Sequence, residues 1–261
     1  MSLKGRAAGG TGRAKEYAKL ALRSSLHRRN LDLVRYPYPV RVATALAWLG
    51  ADVVLDVGAN IGQYASALRS SGYGARIISC EPLPDAYGHL ARRSGPDAAW
   101  TALHTAVGDS VGTVELNVSA NSYSSSVLPM TSAHLTAAPG SQTIGTAAVG
   151  VITVADLVKE HDVDPGRALL KVDAQGYEGH VLDGAGELLG AFAAVQLELS
   201  FVSLYAGQPL FAELTGRLSA AGFGIYALDA GFADPRTGRM LQCDGLFVRE
   251  DRLPDPAVLH G

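Results

Sequence analysis

The chain has 261 residues, 48% of them apolar, which is enough to bury one large core and reads as a single α/β domain. Its two cysteines, Cys80 and Cys243, give no disulfide framework and no Cys/His cluster at zinc spacing, which suits a reduced, cytoplasmic protein. The net charge of −3 hides an asymmetry, because residues 1–50 carry ten Lys or Arg against two acids.

In chain order, Met1 to Gly12 is glycine-rich with almost no large apolar residue and is expected to be disordered. Ala14 to His27 has helical spacing, Tyr36-Pro37-Tyr38-Pro39 breaks the pattern, and Val40 to Leu49 forms a second helix. Residues 1–50 therefore read as a basic extension, 51–250 as the main domain and 251–261 as a tail. No apolar run reaches the ~18 residues of a membrane span, and the start lacks the apolar stretch of a signal peptide.

Val53 to Val57 is an apolar run that reads as a buried parallel strand, followed by Gly58-x-x-x-Gly62 and a helix from Ile61 to Ser70. A glycine-opened turn between strand and helix brings backbone N–H groups close to a ligand. The spacing differs from the G-x-G-x-x-G of dinucleotide binders. Ala75 to Glu81 is a second strand ending in an acid and Pro82. An acid at that strand tip accepts hydrogen bonds from ribose hydroxyls, so Glu81 takes that role; the plainer alternative is a cap on the next helix. Asp56 precedes the turn, where it would hold the loop or meet a cationic ligand group. Its charge suits an ammonium or sulfonium and repels a pyrophosphate, which favours S-adenosylmethionine over NAD.

Trp100 to Val107 is expected as the third strand and Thr113 to Val118 as an extra one. Ser119 to Ser126 and Thr131 to Thr146 are polar stretches without periodicity and read as loops. Val149 to Val154 resumes β character, Ala168 to Asp173 and Ala194 to Leu199 are the fourth and fifth strands, and Phe211 to Ala221 is a helix. Phe223 to Leu228 with Gln242 to Arg249 makes a closing antiparallel pair.

The strings Asp56–Gly62 (DVGANIG), Glu81-Pro82, Ala106–Asp109 (AVGD) and Leu170–Glu178 (LKVDAQGYE), in that order, resemble the FkbM family of S-adenosylmethionine-dependent methyltransferases. The similarity runs from about Val53 to Arg249, and the Lys-x-Asp-x-x-Gly-Tyr-Glu string discriminates most. The resemblance implies a Rossmann-like class I fold: a seven-stranded, mostly parallel sheet with an antiparallel last strand and helices on both faces. It also implies O-methylation in natural product biosynthesis, with S-adenosyl-L-methionine held by Asp56, Gly58, Asn60, Gly62, Glu81, Pro82, Ala106 and Val107.

Chemistry belongs at the carboxyl ends of the strands. Asp173 and Glu198 fall there, as base or as orienters of the acceptor, since a carboxylate in a partly dry pocket can take a hydroxyl proton. The structural alternative for Asp173 is a cap on the helix beginning near Tyr177, and for Glu198 a bond to a neighbouring loop. His134 is a further catalytic candidate if the polar middle segment closes as a lid; His104 reads as a core residue of the third strand. Asp173, Glu198 and Asp244 are the acids that would suit Mg²⁺, but no metal is expected. A sugar hydroxyl is the preferred acceptor, contacted by Tyr36, Tyr38, Ser124, Ser125 and Tyr205. The expected partner is a small-molecule or glycolipid acceptor, with no nucleic acid and at most peripheral membrane contact through the basic arm; self-association is left open. Two other readings are an RNA-directed methyltransferase, prompted by that arm, and a non-catalytic nucleotide-binding module.

Overall fold

The computed structural model describes residues 36–253. The chain divides into two units, Met1–Pro37 and Tyr38–Gly261, and the described strands and helices all belong to the second. The expected disordered start, the helix over Ala14 to His27 and the end of the tail lie outside the described residues.

The strands are β1 Val53–Val57, β2 Arg76–Cys80, β3 Trp100–Leu103, β4 Ala106–Gly108, β5 Gly112–Ser119, β6 Thr143–Thr153, β7 Ala168–Val172, β8 Ala194–Ser200, β9 Phe223–Ala230 and β10 Gln242–Arg249. Seven of them form one sheet in the order β3-β2-β1-β7-β8-β10-β9. All neighbours are parallel except β10, which runs antiparallel to both β8 and β9. Strands β1 and β7 are buried along their whole length, as parallel strands covered on both faces must be.

Alternation sends the two sets of side chains to different layers. Leu55, Ile78, Leu170 and Leu197 pack under α5 Val154–Glu160, α6 Glu178–Ala185 and α7 Phe211–Ala220. Val54, Ile77, Leu169 and Leu246 pack under α1 Tyr38–Leu49, α2 Gln63–Ser70 and α3 Pro84–Ser94. Helix α1 carries Pro39 in its first turn, where a missing N–H removes no helical bond, and buries Val42, Ala45 and Leu46. It is therefore part of the core, and the division between the two units falls before it rather than at residue 51.

Two expectations change. The run Trp100 to Val107 is two strands in two sheets, because β4 pairs with β6 and not with β2. The break falls at His104, which is exposed, stacks on Tyr87 at 4.6 Å and lies 3.0 Å from the Pro82 carbonyl, so it is no core residue. The polar stretch from Thr131 to Thr146 holds a short helix, α4 Ser132–Ala137, and the start of β6. That end of β6 is exposed, so it shows no apolar alternation; its order comes from backbone pairing with β5. Strands β4, β6 and β5 form a second, three-stranded sheet. Among the described residues no helix is long and apolar enough to cross a membrane.

Candidate active site

At the carboxyl ends of β1, β2 and β7 lies a cavity of about 750 Å³, part of it open to solvent. Val57, Cys80, Leu83 and Val107 give it an apolar wall. Leu116, Ser122, Tyr123 and Ser125 form its roof, and Asp173 and Gln175 close the third side.

The glycine turn owes its shape to contacts with the protein itself. Gly58 has φ +72, and a Cβ there would lie 1.8 Å from the Asp173 carbonyl oxygen, so only glycine lets the two loops meet. Gly62, at φ +83, abuts Leu90 and Trp100 and does not line the cavity. Asn60 donates its backbone N–H to Glu81 Oε2 at 2.8 Å, and its side-chain amide to the Ser122 carbonyl at 3.0 Å. Leu83 N donates to Glu81 Oε1 at 2.8 Å. Glu81 thus caps the following segment and also lines the cavity with Pro82 and Ala106, keeping lone pairs free for a ligand hydroxyl. Burial pushes its carboxyl up to about 7, against the two backbone bonds, which pull it down.

Asp56 does not reach the cavity. Its side chain is fully buried; Oδ2 accepts from Ser79 Oγ at 2.8 Å, and Ser79 in turn accepts from Trp100 Nε1 at 2.9 Å. Its other oxygen has no hydrogen bond of good geometry but lies 3.0 Å from the Lys171 ammonium. Lys171 also donates to the carbonyls of Val57 at 3.2 Å and Gly58 at 3.1 Å. Burial lowers its pKa, but Asp56 and Asp173 outweigh burial and hold it raised. Of the two roles expected of Asp56, holding the loop and meeting a cationic ligand group, the structure shows the first, as a buried ion pair that fixes the turn.

Asp173 follows β7 directly and its half-exposed carboxylate lines the cavity. It is no helix cap: α6 starts at Glu178 with Tyr177 before it and no side-chain cap. Gln175, in the left-handed region at φ 52, connects the acids. Its amide donates to Asp173 Oδ1 at 2.8 Å and to Glu198 Oε2 at 3.0 Å, while its oxygen accepts from the Tyr205 hydroxyl at 2.7 Å. Ser126 Oγ donates to the Gln175 carbonyl at 2.7 Å, and Tyr205 also donates to the Ser124 carbonyl at 3.1 Å. Burial, then the nearby Asp173, raises Glu198 well above the usual carboxyl range. Glu178, buried, accepts from Ala174 N and Gly176 N at 2.9 and 3.1 Å and so shapes the loop that carries Gln175.

The remaining candidates are dispersed. Ser125 lines the cavity, whereas Ser124 and Tyr205 are buried supports of Gln175. Tyr38 is buried in α1, and Tyr36 belongs to the first unit and is 55% exposed. His134 is buried on α4, edge-on to Tyr205 with ring centroids 5.0 Å apart, and burial lowers its pKa. It does not line the cavity, because α4 packs it inward instead of swinging as a lid. Among the described residues no three His, Cys, Asp or Glu converge closely enough to hold a metal ion. Sequence reading missed Gln175 and Lys171. For Lys171 a signal existed: two fully buried strands each carry one charged residue, at positions in direct register, Asp56 and Lys171.

A seven-stranded sheet with one antiparallel strand next to its edge, and a glycine turn opening on a cavity at its carboxyl ends, defines the class I methyltransferase fold. The methyltransferase FkbM domain matches residues 56–225, so the chain belongs to the FkbM family of S-adenosylmethionine-dependent methyltransferases. None of the curated proteins matches the sequence. Similar solved structures include an rRNA methylase from Streptococcus thermophilus, 10% identical, covering 83% of this chain and 99% of that chain at a TM-score of 0.43. Magnesium protoporphyrin IX methyltransferase from Synechocystis PCC 6803, with bound SAM, is 12% identical over 95% of this chain and 100% of that one, TM-score 0.40. The 1,6-didemethyltoxoflavin-N1-methyltransferase of Burkholderia thailandensis, with bound S-adenosylhomocysteine, is 15% identical over 95% and 93%, TM-score 0.39. The family match carries the assignment; these distant likenesses add nothing to it.

Proposed function

We propose that the protein methylates a hydroxyl of a small polar acceptor, a sugar of a glycolipid or glycosylated natural product, with Asp173 taking the hydroxyl proton. The observation that carries this reading is the carboxylate of Asp173 at the cavity wall, held by the same Gln175 amide that binds Glu198.

The residues present fit S-adenosylmethionine. The cavity wall of Val57, Leu83 and Val107 suits an adenine. Glu81 keeps acceptor capacity for ribose hydroxyls, and Gly58 and Asn60 line the same side. Bound there, the cofactor supplies a methyl group made electrophilic by its sulfonium.

The rest falls to the chain. A hydroxyl must lose its proton as its oxygen gains a carbon, so a base is needed; a neutral amine nitrogen attacks without one. An acidic wall therefore supports an oxygen acceptor. Tyr205 donates to the oxygen of Gln175, which leaves both amide hydrogens for the carboxyls and fixes their spacing. Burial raises Glu198 well above the usual carboxyl range, and Asp173 is the member of the pair that lines the cavity, where a hydroxyl proton is to be taken. The roof residues Ser122, Tyr123 and Ser125 offer hydroxyls and a ring to a sugar and shield the site from water.

Asp173→Asn tests the reading. It keeps the shape but not the basicity, so single-turnover methyl transfer should fall ~10²–10⁴-fold while S-adenosylhomocysteine affinity holds. Normal turnover would remove Asp173 from the chemistry.

A further inference from the structure

Beyond Asp173 the acids continue along the same edge of the sheet. Glu198 on β8 is the register partner of Asp244 on β10, and Asp244 that of Asp229 on β9. Like charges placed directly opposite on neighbouring strands destabilise a sheet. Among the described residues, Asp244 and Asp229 have no hydrogen bond or ion pair, and Lys171 is committed to Asp56. A second observation points the same way. The Tyr38 side chain is only 8% exposed, its hydroxyl is buried without a hydrogen-bond partner, and it packs in the layer that Ala227 and Leu246 enter, the side of the sheet to which alternation also sends Asp229 and Asp244. A buried hydroxyl without a partner is costly unless something arrives to bond with it.

We propose that the row Asp229, Asp244 and Glu198, with the Tyr38 hydroxyl, binds a protonated amine carried by the methyl acceptor. The proposal rests on the reading of Asp173 as the point of methyl transfer and names the acceptor class: an amino-bearing polyol or sugar. The row suits an ammonium better than a metal, because no three of the carboxyls converge on one point, whereas neighbouring carboxyls with the Tyr38 hydroxyl can satisfy the three donors of an ammonium. Burial raises Asp244 to about 6 and Glu198 well above its usual range, so both carboxyls gain from an arriving cation. Anchoring also sets selectivity. A nitrogen kept protonated has no lone pair to attack with, so the methyl goes to the neighbouring hydroxyl.

The test uses full-length protein saturated with S-adenosylhomocysteine. Glucosamine, galactosamine and mannosamine are each titrated calorimetrically against the neutral parent hexose. At least one amino sugar should bind about tenfold or more tightly than its parent, and Asp244→Asn and Tyr38→Phe should each reduce that preference. Ligand-free Asp244→Asn should melt at the same or a higher temperature, since it relieves repulsion. No preference for any amine, a preference that survives Asp244→Asn, displacement of the amine by MgCl₂, or a lower melting temperature of that variant would each overturn the proposal. Titration of S-adenosylhomocysteine alone reports separately on the cofactor reading, so the two can fail independently.

Discussion

Replacing Gly58 by alanine probes the joint between the cofactor turn and the base. The added Cβ would sit 1.8 Å from the Asp173 carbonyl oxygen and 2.9 Å from its carbon. Carbon and oxygen do not approach closer than about 3 Å without covalent contact, so the Asp173 peptide must retreat by roughly 1 Å. That retreat strains the bond from Asp173 N to the Val57 carbonyl, now 3.1 Å. Its net worth is about 0.5–1.5 kcal/mol. Alanine at φ +72 adds about 1–2 kcal/mol of backbone strain. Together the loss of stability should be about 1.5–3.5 kcal/mol, read by urea denaturation. Misplacing the base by that distance should lower single-turnover methyl transfer about 10²-fold, in a protein that still binds S-adenosylhomocysteine at high concentration. A variant with wild-type stability and turnover would refute the claim that the two loops are in contact.

Lys171→Met leaves Asp56 buried and unpaired, and should cost about 3–5 kcal/mol in denaturant unfolding; adding Asp56→Asn should recover much of it. Glu81→Ala should weaken S-adenosylhomocysteine binding by about 1.5–3 kcal/mol in calorimetry and lower the melting temperature, because the Asn60 and Leu83 N–H groups lose their acceptor. Burial raises Glu81 and Glu178 to about 7 and Asp244 to about 6, above their unfolded values near 4. The stability these groups contribute is therefore fully present below the unfolded values and is lost as pH rises through the folded ones. Unfolding free energy of the ligand-free protein should fall between about pH 4 and 7 and level off above, and a rise over that window would contradict these burial effects.

The parallel strands were legible because burial on both faces writes them as apolar runs: β1, β2, β7 and β8 lie within a residue or two of the reading. Strands of the second sheet were harder. β4 continues the apolar run of β3 without a turn signal, and the exposed start of β6, with Ile144 69% exposed, follows no alternation. At the site, Glu81 and Asp173 were legible because strand ends are where open sheets bind ligands. Asp56 misled because its charge was weighed against a ligand, when the cation that meets it, Lys171, lies far along the chain on an adjacent strand. Gln175 escaped notice because a neutral amide carries no charge logic. Its importance comes from a left-handed backbone that aims it at two acids. His134 drew attention as a mobile base, but a six-residue helix buries it.

The second sheet has a consequence for how such a protein can change over generations. β4 leaves the domain beside the last residues of β6, with Ala106 opposite Val151 and Gly108 opposite Thr153, and Gly112 faces Val151 across the ladder. The polypeptide between residues 109 and 150 thus departs and returns at one point, like an excursion sewn in along a single seam. Within it Ser122, Tyr123 and Ser125 face the cavity, while threads from several points fasten it to the rest, among them Ser122 to Asn60, Ser126 to Gln175, Ser124 to Tyr205 and Thr131 to Leu204. Exchange of that stretch between paralogues, with those threads retained, would swap one acceptor preference for another and leave the seven-stranded sheet and its glycine turn untouched.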